Sequence, residues 1–290
     1  MTRHLFSLTA LTISLTAGAV WAQDRTVTLG QVSLSFYAVV GGVVHEILER
    51  EGYTVELVEG GHSDIFPQLG TGDVDILAAA WLPGGHAALY EPVRETTFQI
   101  APIYEDATFF WVVPDYVLED AVSEVSDLTN PDVVARIPQT IVSLPEATGL
   151  TTGGRRMMQT YGLDNAGYEL VAGDVADWFG AFQTAIEAEE WIVFPLWQPQ
   201  WINIAYDVRP LRDPLNVYGD PDTAWLIGHE TLRDTLDADT LAILENMRIP
   251  VEEVAEMDRL VNAEGLTARD AARRWMGQNA DAVSSWDPQS

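Results

Sequence analysis

The chain contains no cysteine and no lysine, and its histidines are few. Without cysteine there can be no disulfide framework, no thiolate nucleophile and no lipid-carrying N-terminal cysteine. Without lysine no Gly-Lys-Ser phosphate loop can be written. The five histidines, His4, His45, His62, His86 and His229, show neither the His-x-x-x-His nor the His-Glu-x-x-His spacing of a zinc site. No metal and no cofactor is therefore expected. Positive charge is also scarce: 15 basic residues, all arginine, stand against 44 acidic ones, for a formal charge of -29. Such a field repels nucleic acid and anionic membrane surfaces and favours solubility in salt.

Long apolar runs are missing except at the start. Arg3 is followed by an apolar stretch from Leu5 to Val20, interrupted by Ser and Thr, and Val20-Trp21-Ala22 offers small residues for cleavage. Residues 1–22 thus read as a secretory signal, too short and too polar for a stable membrane span. The mature chain is expected to be a monomer in the periplasm, with no direct membrane anchor.

What the sequence does have is α/β periodicity. Thr26 to Val32 reads as a strand, Val39 to Glu51 as a helix, Thr54 to Val58 as a strand, and Asp64 to Leu69 as a helix capped by Ser63. A short apolar run, Val74 to Ala80, follows between Gly72-Asp73 and Pro83-Gly84-Gly85. This β-α-β-α-β order argues for a parallel sheet. Strands are also expected over Phe98 to Pro102 and Thr108 to Val113. A second such run begins at Gln139 to Leu144 and continues through a helix from about Thr151, a strand at Tyr168 to Val171 and a helix over Asp177 to Glu189. It ends in a strand from Trp191 to Trp197. Thr267-Ala268-Arg269-Asp270 is a capping box for a C-terminal helix.

Both runs end alike. Trp81-Leu82-Pro83 and Trp197-Gln198-Pro199 each place an aromatic at the end of an apolar strand, followed by a proline that stops the ladder. Open α/β sheets bind ligands at their strand ends. The competing reading of Trp81 is a core tryptophan, and that of His86, one turn of chain later, is a solvent-facing histidine.

Taken in order, Gly52-Tyr53-Thr54-Val55, Gly72-Asp73-Val74-Asp75, Trp81-Leu82-Pro83 with His86, and Val112-Val113-Pro114-Asp115-Tyr116 carry a resemblance, as do several later segments. These are Trp191-Ile192-Val193, Trp197-Gln198-Pro199-Gln200-Trp201, Leu211-Arg212-Asp213-Pro214 and Ala271-Ala272-Arg273-Arg274-Trp275. Over nearly the whole mature chain the sequence resembles the glycine betaine/choline-binding proteins of ABC importers. That resemblance implies a two-lobed periplasmic-binding-protein fold of type II, each lobe a mostly parallel sheet flanked by helices, with the ligand cleft at the hinge. Residues 23–113 plus 208–290 would form the first lobe and 114–207 the second.

The resemblance also implies a small cationic or zwitterionic ligand, of the betaine, choline, carnitine or proline betaine type, delivered to a membrane-embedded ABC permease. A quaternary ammonium ion has no N–H to donate and is held by aromatic faces. Trp81 and Trp197 are the expected walls, with Trp201 a further candidate. Relatives carry a tryptophan in the loop after the first strand where this chain has Leu34, so Phe36 or Tyr37 would have to supply the third wall. A Leu34→Trp change is expected to tighten betaine binding if that position has room. For a ligand carboxylate, donors would come from His86 and from Thr148, Gly149 and Leu150 ahead of a helix, where free N–H groups and the helix dipole favour anions. Gly149 as an ordinary loop glycine is the alternative. His86→Ala is expected to weaken carboxylate-bearing ligands and to spare choline. Two other functions stay open: the same scaffold holding a different zwitterion or a sulfonium compound, and a secreted α/β hydrolase with His86 as base oriented by Asp64. The hydrolase lacks a placed nucleophile.

Overall fold

The computed structural model describes residues 25–289. The signal-peptide reading of residues 1–22 lies outside the described residues. Nine strands are present among them: β1 (Thr26–Val32), β2 (Thr54–Gly60), β3 (Ile76–Leu82), β4 (Thr97–Pro114), β5 (Thr140–Ser143), β6 (Glu169–Ala172), β7 (Phe194–Gln198), β8 (Val208–Pro210) and β9 (Asp222–His229). The main sheet runs β2-β1-β3-β9-β4-β7, with β8 also on β4, and β5 pairs with β6 separately. Every residue of β3 is buried, as suits a continuous apolar strand with neighbours on both sides and helices on its faces.

The mixed α/β class agrees with the sequence, but the strand directions do not. A mostly parallel sheet in each lobe was expected. Only β1 with β2, β1 with β3 and β5 with β6 are parallel, whereas β9 runs antiparallel to β3 and β4, and β7 and β8 run antiparallel to β4. The reason is β4. Two short strands were expected where one strand of 18 residues runs through. Its first part pairs with β9 and its last part with β7 and β8, and the register shifts between them, with Asp106 at φ 61°, bend it without ending it. Glu105-Asp106 looks like a turn in sequence because it is the exposed bend of a continuous strand.

The helix Ser35–Arg50 starts four residues earlier than its periodicity suggested and buries Phe36, Tyr37, Val39, Val40, Val43, Val44, Ile47 and Leu48. Its outer neighbours are the helices Val251–Glu264 and Ala268–Gln278. The second of these opens as expected, with Thr267 accepting from the Asp270 N–H. The Ser63 cap is a correction: the helix is His62–Thr71, and Asp64 reaches back to the Gly61 N–H at 3.2 Å. One apolar cluster joins β1 and the Ser35–Arg50 helix to Trp178, Phe194 and Trp197. A second gathers Trp111, Leu128, Ile141, Met157 and Val193.

Candidate functional site

Trp81 is the penultimate residue of β3 and has no solvent exposure. Its turn is fixed from several directions. The Trp81 N–H donates to Nδ1 of His86 at 2.9 Å, and the His86 N–H returns to the Trp81 carbonyl at 2.9 Å. The Gly84 and Gly85 N–H groups donate to Oδ1 and Oδ2 of Asp222 at 2.6 and 2.7 Å. From behind, Trp81 Nε1 donates to the Tyr104 hydroxyl at 2.9 Å. The peptide bonds Leu82–Pro83 and Gln198–Pro199 are both cis, so the two Trp-x-Pro strand ends share that feature as well.

Three more rings pack on Trp81, and a fourth, Trp197, joins them through Phe36. Phe36, in the first turn of its helix, lies 5.6 Å from both Trp81 and Trp197, centroid to centroid. Tyr37 lies 6.1 Å and Phe109 5.0 Å from Trp81. Phe109 on β4 stands opposite Trp197 on β7 in register, so the antiparallel pairing carries both rings to one place. Trp197 is backed by Trp178 at 4.9 Å, and its buried Nε1 has no hydrogen-bond partner. These rings close on a cavity of about 20 Å³, room for roughly one water.

The opposite side is the start of the Gly149–Thr160 helix. Thr148 is its N-cap: the hydroxyl accepts from the Thr151 N–H at 3.3 Å and donates to the Pro145 carbonyl at 2.8 Å. Thr151 donates to the Leu144 carbonyl at 2.6 Å. These hydroxyls are spent on shaping the loop. The N–H groups of Gly149 and Leu150 belong to the first helical turn and have no intrahelical acceptor, and both residues line the cavity. Glycine is required at 149 by close approach. A Cβ there would meet Phe109 Cζ at 2.8 Å and the Gly85 carbonyl oxygen at 3.1 Å.

No lining side chain carries a formal charge. Burial, and after it the neighbouring His62, holds His86 well below the ordinary imidazole range, and burial takes His62 down to about 4. Because Nδ1 of His86 accepts from Trp81, its proton sits on Nε2, 3.4 Å from the Tyr37 hydroxyl.

These histidines set a pH dependence. Between the ordinary value of 6.5 and about 4 the unfolded chain binds a proton at His62 and the native chain does not, so stability falls as pH drops through that window. Asp258, pushed up by burial to about 6 from 3.8, acts with the opposite sign. Its native carboxyl keeps a proton that the unfolded chain releases, so stability falls as pH rises from 3.8 to 6. Thermal melts across pH 4 to 6.5 are expected to show a shallower acid loss in His62→Gln, and a shallower loss on the rising side in Asp258→Asn, than in the wild type. Melting curves that shift equally at every pH would contradict both assignments.

A family model for the substrate-binding domain of ABC-type glycine betaine transport systems matches residues 25–278. The chain belongs to this family. Members are transport substrate-binding proteins, and the family is not one of enzymes. The glycine betaine/carnitine transport binding protein GbuC of Listeria monocytogenes is 26% identical over 155 residues, covering 53% of this chain and 51% of that protein. The chain thus matches about half the length of this curated relative. Lactococcal OpuAC, solved closed with glycine betaine, superposes with a TM-score of 0.80 at 21% identity over 91% of this chain and all of that one. The glycine betaine/L-proline-binding protein ProX of Borrelia burgdorferi gives 0.80 at 22% identity, covering 91% of this chain and 97% of that one. A choline-binding protein solved with choline gives 0.76 at 18%, covering 91% of each chain. The fold is therefore the two-lobed one of OpuAC-type binding proteins. Among the described residues no helix is long and apolar enough to cross a membrane.

Within this OpuAC-type fold the structure brings most of the expected residues together. Trp81, Trp197, Phe36, Tyr37, His86, Thr148, Gly149 and Leu150 all line the same cavity, and Leu34 lines it too. Trp201 does not. It packs on Phe179 at 5.3 Å and Tyr206 at 5.7 Å in an adjoining groove of about 490 Å³. Phe36 stands between the two walls, 5.6 Å from each, and half-buried Leu34 also lines the groove of about 490 Å³ beside them. Leu34→Trp is therefore no longer expected to supply a missing wall. His86→Ala is no longer expected to spare choline, since it removes the acceptor that holds the Trp81 backbone. Asp64 does not orient His86 but caps the Gly61 N–H. Phe109 and His62 went unforeseen; a strand over Thr108 to Val113 was expected, but only the pairing with Trp197 singles Phe109 out.

Proposed function

We propose that this protein captures a quaternary ammonium compatible solute of the glycine betaine, choline, carnitine or proline betaine type and presents it to a membrane-embedded ABC permease. The observation that carries this reading is the set of five aromatic rings around one cavity that has no charged side chain. Aromatic faces hold a methylated cation without hydrogen bonds, at ~2 kcal/mol or more for each desolvated contact. Beside them, the Gly149 and Leu150 N–H groups and His86 Nε2–H are suited to a ligand carboxylate. Residues 25–113 plus 208–289 act as one lobe and 114–207 as the other. The closed cavity is too small for a trimethylammonium head, so loading requires the lobes to part or Phe36 to swing aside, and the ligand-bound protein recloses around its cargo. The protein works outside the cytoplasm, in the periplasm, without catalysis.

A thermal-shift screen tests this reading. Glycine betaine, choline, carnitine, proline betaine and a dimethylsulfonium analogue are each added in large excess over wild-type protein. At 100 times Kd a ligand stabilises by about 2.7 kcal/mol, which raises the midpoint by several degrees. At least one quaternary ammonium compound is expected to give that shift. A response confined to sulfonium or unmethylated compounds would overturn the assignment, and hydrolysis of the added ligand would favour an enzyme.

A further inference from the structure

Asp222 is one of two carboxylates buried among the described residues, the other being Asp258. Its two oxygens each accept a backbone N–H, from Gly84 and Gly85, an arrangement that suits the ionised form. None of the ion pairs among the described residues includes it. A buried carboxylate with dipoles but no cation beside it is an expensive thing to keep in a fold.

Its position relates it to the ring cluster. A Cβ built on Gly85 would lie 3.2 Å from Asp222 Oδ2 and 3.2 Å from Phe109 Cε2, so the carboxylate and the edge of the Phe109 ring both close on the space beside Gly85 Cα. Phe109 lines the cavity. Burial, and after it the neighbouring Tyr104 and Asp222, raise the Tyr37 hydroxyl well above its ordinary range. Asp258 is accounted for differently. It accepts from the Trp201 N–H and from Asn262, each at 2.9 Å, and so ties the segment after β7 to the helix Val251–Glu264.

We propose that Asp222 supplies the counter-charge of the bound cation, and that it makes the site prefer a permanent cation over a neutral head of the same shape. This rests on reading the cavity as a cation cage. Aromatic faces alone attract a cation modestly, and a fixed negative charge behind them, screened little by water, adds a term that a neutral isostere does not feel. The competing role is mechanical: Asp222 holds the Gly84-Gly85 turn and affects every ligand alike.

Matched pairs separate the two. Choline is compared with 3,3-dimethylbutan-1-ol, and glycine betaine with 3,3-dimethylbutanoate, each isostere carrying a quaternary carbon in place of the nitrogen. Calorimetric titration of the wild type is expected to favour the cation of whichever pair binds. Asp222→Asn should reduce that preference on the order of tenfold or more, while Asp222→Glu, which keeps the charge, retains most of it even if both affinities fall. If Asp222→Asn does not fold, Asp222→Ser is measured on the same ratio. Equal weakening of cation and isostere by the neutral variant would overturn the counter-charge and leave only the turn. A wild type that binds the isosteres as tightly as the cations, or binds neither pair, would overturn the cation cage itself.

Discussion

Replacing Trp81 by alanine is expected to weaken the binding of a quaternary ammonium ligand by roughly thirtyfold, the equivalent of about 2 kcal/mol for one lost cation–π wall. Trp197→Ala is expected to lose a similar factor. The two variants differ in stability. Trp81 is fully buried and gives its Nε1–H to Tyr104, so its removal leaves a core cavity and an unpartnered hydroxyl. A loss of about 3–5 kcal/mol follows from comparable truncations. Trp197 loses packing against Trp178 and Phe36 but no hydrogen bond, since its Nε1 has none to lose. Its melting midpoint should therefore fall less. Losses in the double variant should not add, because both rings touch one ligand. Calorimetry on protein shown by near-ultraviolet circular dichroism to be folded checks the binding, and chemical denaturation checks the stability. Full affinity in both single variants would remove the aromatic cage from the account.

A second large effect is expected from the smallest change. Gly149→Ala puts a methyl group 2.8 Å from the Phe109 ring and 3.1 Å from the Gly85 carbonyl oxygen. Phe109 can turn, but only out of its place beside Trp81. The Gly85 carbonyl cannot easily move, since the adjoining N–H groups are held by Asp222. Overpacking of this kind costs about 1–3 kcal/mol, or roughly fivefold to somewhat over a hundredfold in affinity when it is felt only in the closed, loaded state. Stability without ligand should change little or improve, because alanine suits a helix better than glycine. A variant that binds less tightly but melts no lower is the expected pairing. Wild-type affinity in Gly149→Ala would show that the helix start and the Gly85 turn do not meet in the loaded protein.

What could be read from the sequence was what local chemistry encodes. Trp81 and Trp197 were legible because each ends a short apolar strand and precedes a proline. Gly149 was expected through the resemblance, the residues alone leaving it open as an ordinary loop glycine, and it stands at a helix start in the cavity lining. Phe36 and Tyr37 were expected only through the resemblance, whose relatives carry a tryptophan where this chain has Leu34. What stayed hidden depends on pairing at a distance. Phe109 gains its role from lying opposite Trp197 on a neighbouring strand. His62 enters only because the next helix begins at it and carries its ring to 4.9 Å from His86. The direction of β7 and β9 was missed for the same reason, since a strand's own alternation does not say which neighbour it will join. Trp201, the further candidate, stands apart because the turn at Pro199 and the Asp258 bond to the Trp201 N–H carry it into the adjoining groove.

The central claim is that the site recognises methylated ammonium. Its most direct measurement is calorimetric titration of the wild type with choline against ethanolamine and with glycine betaine against glycine, pairs that differ only in the methyl groups on nitrogen. Unmethylated amines keep a strong claim on water and find no acceptor among the rings. The account predicts saturable one-to-one binding of at least one methylated member and no detectable binding of its unmethylated counterpart. Ethanolamine or glycine binding as tightly as choline or glycine betaine would contradict it.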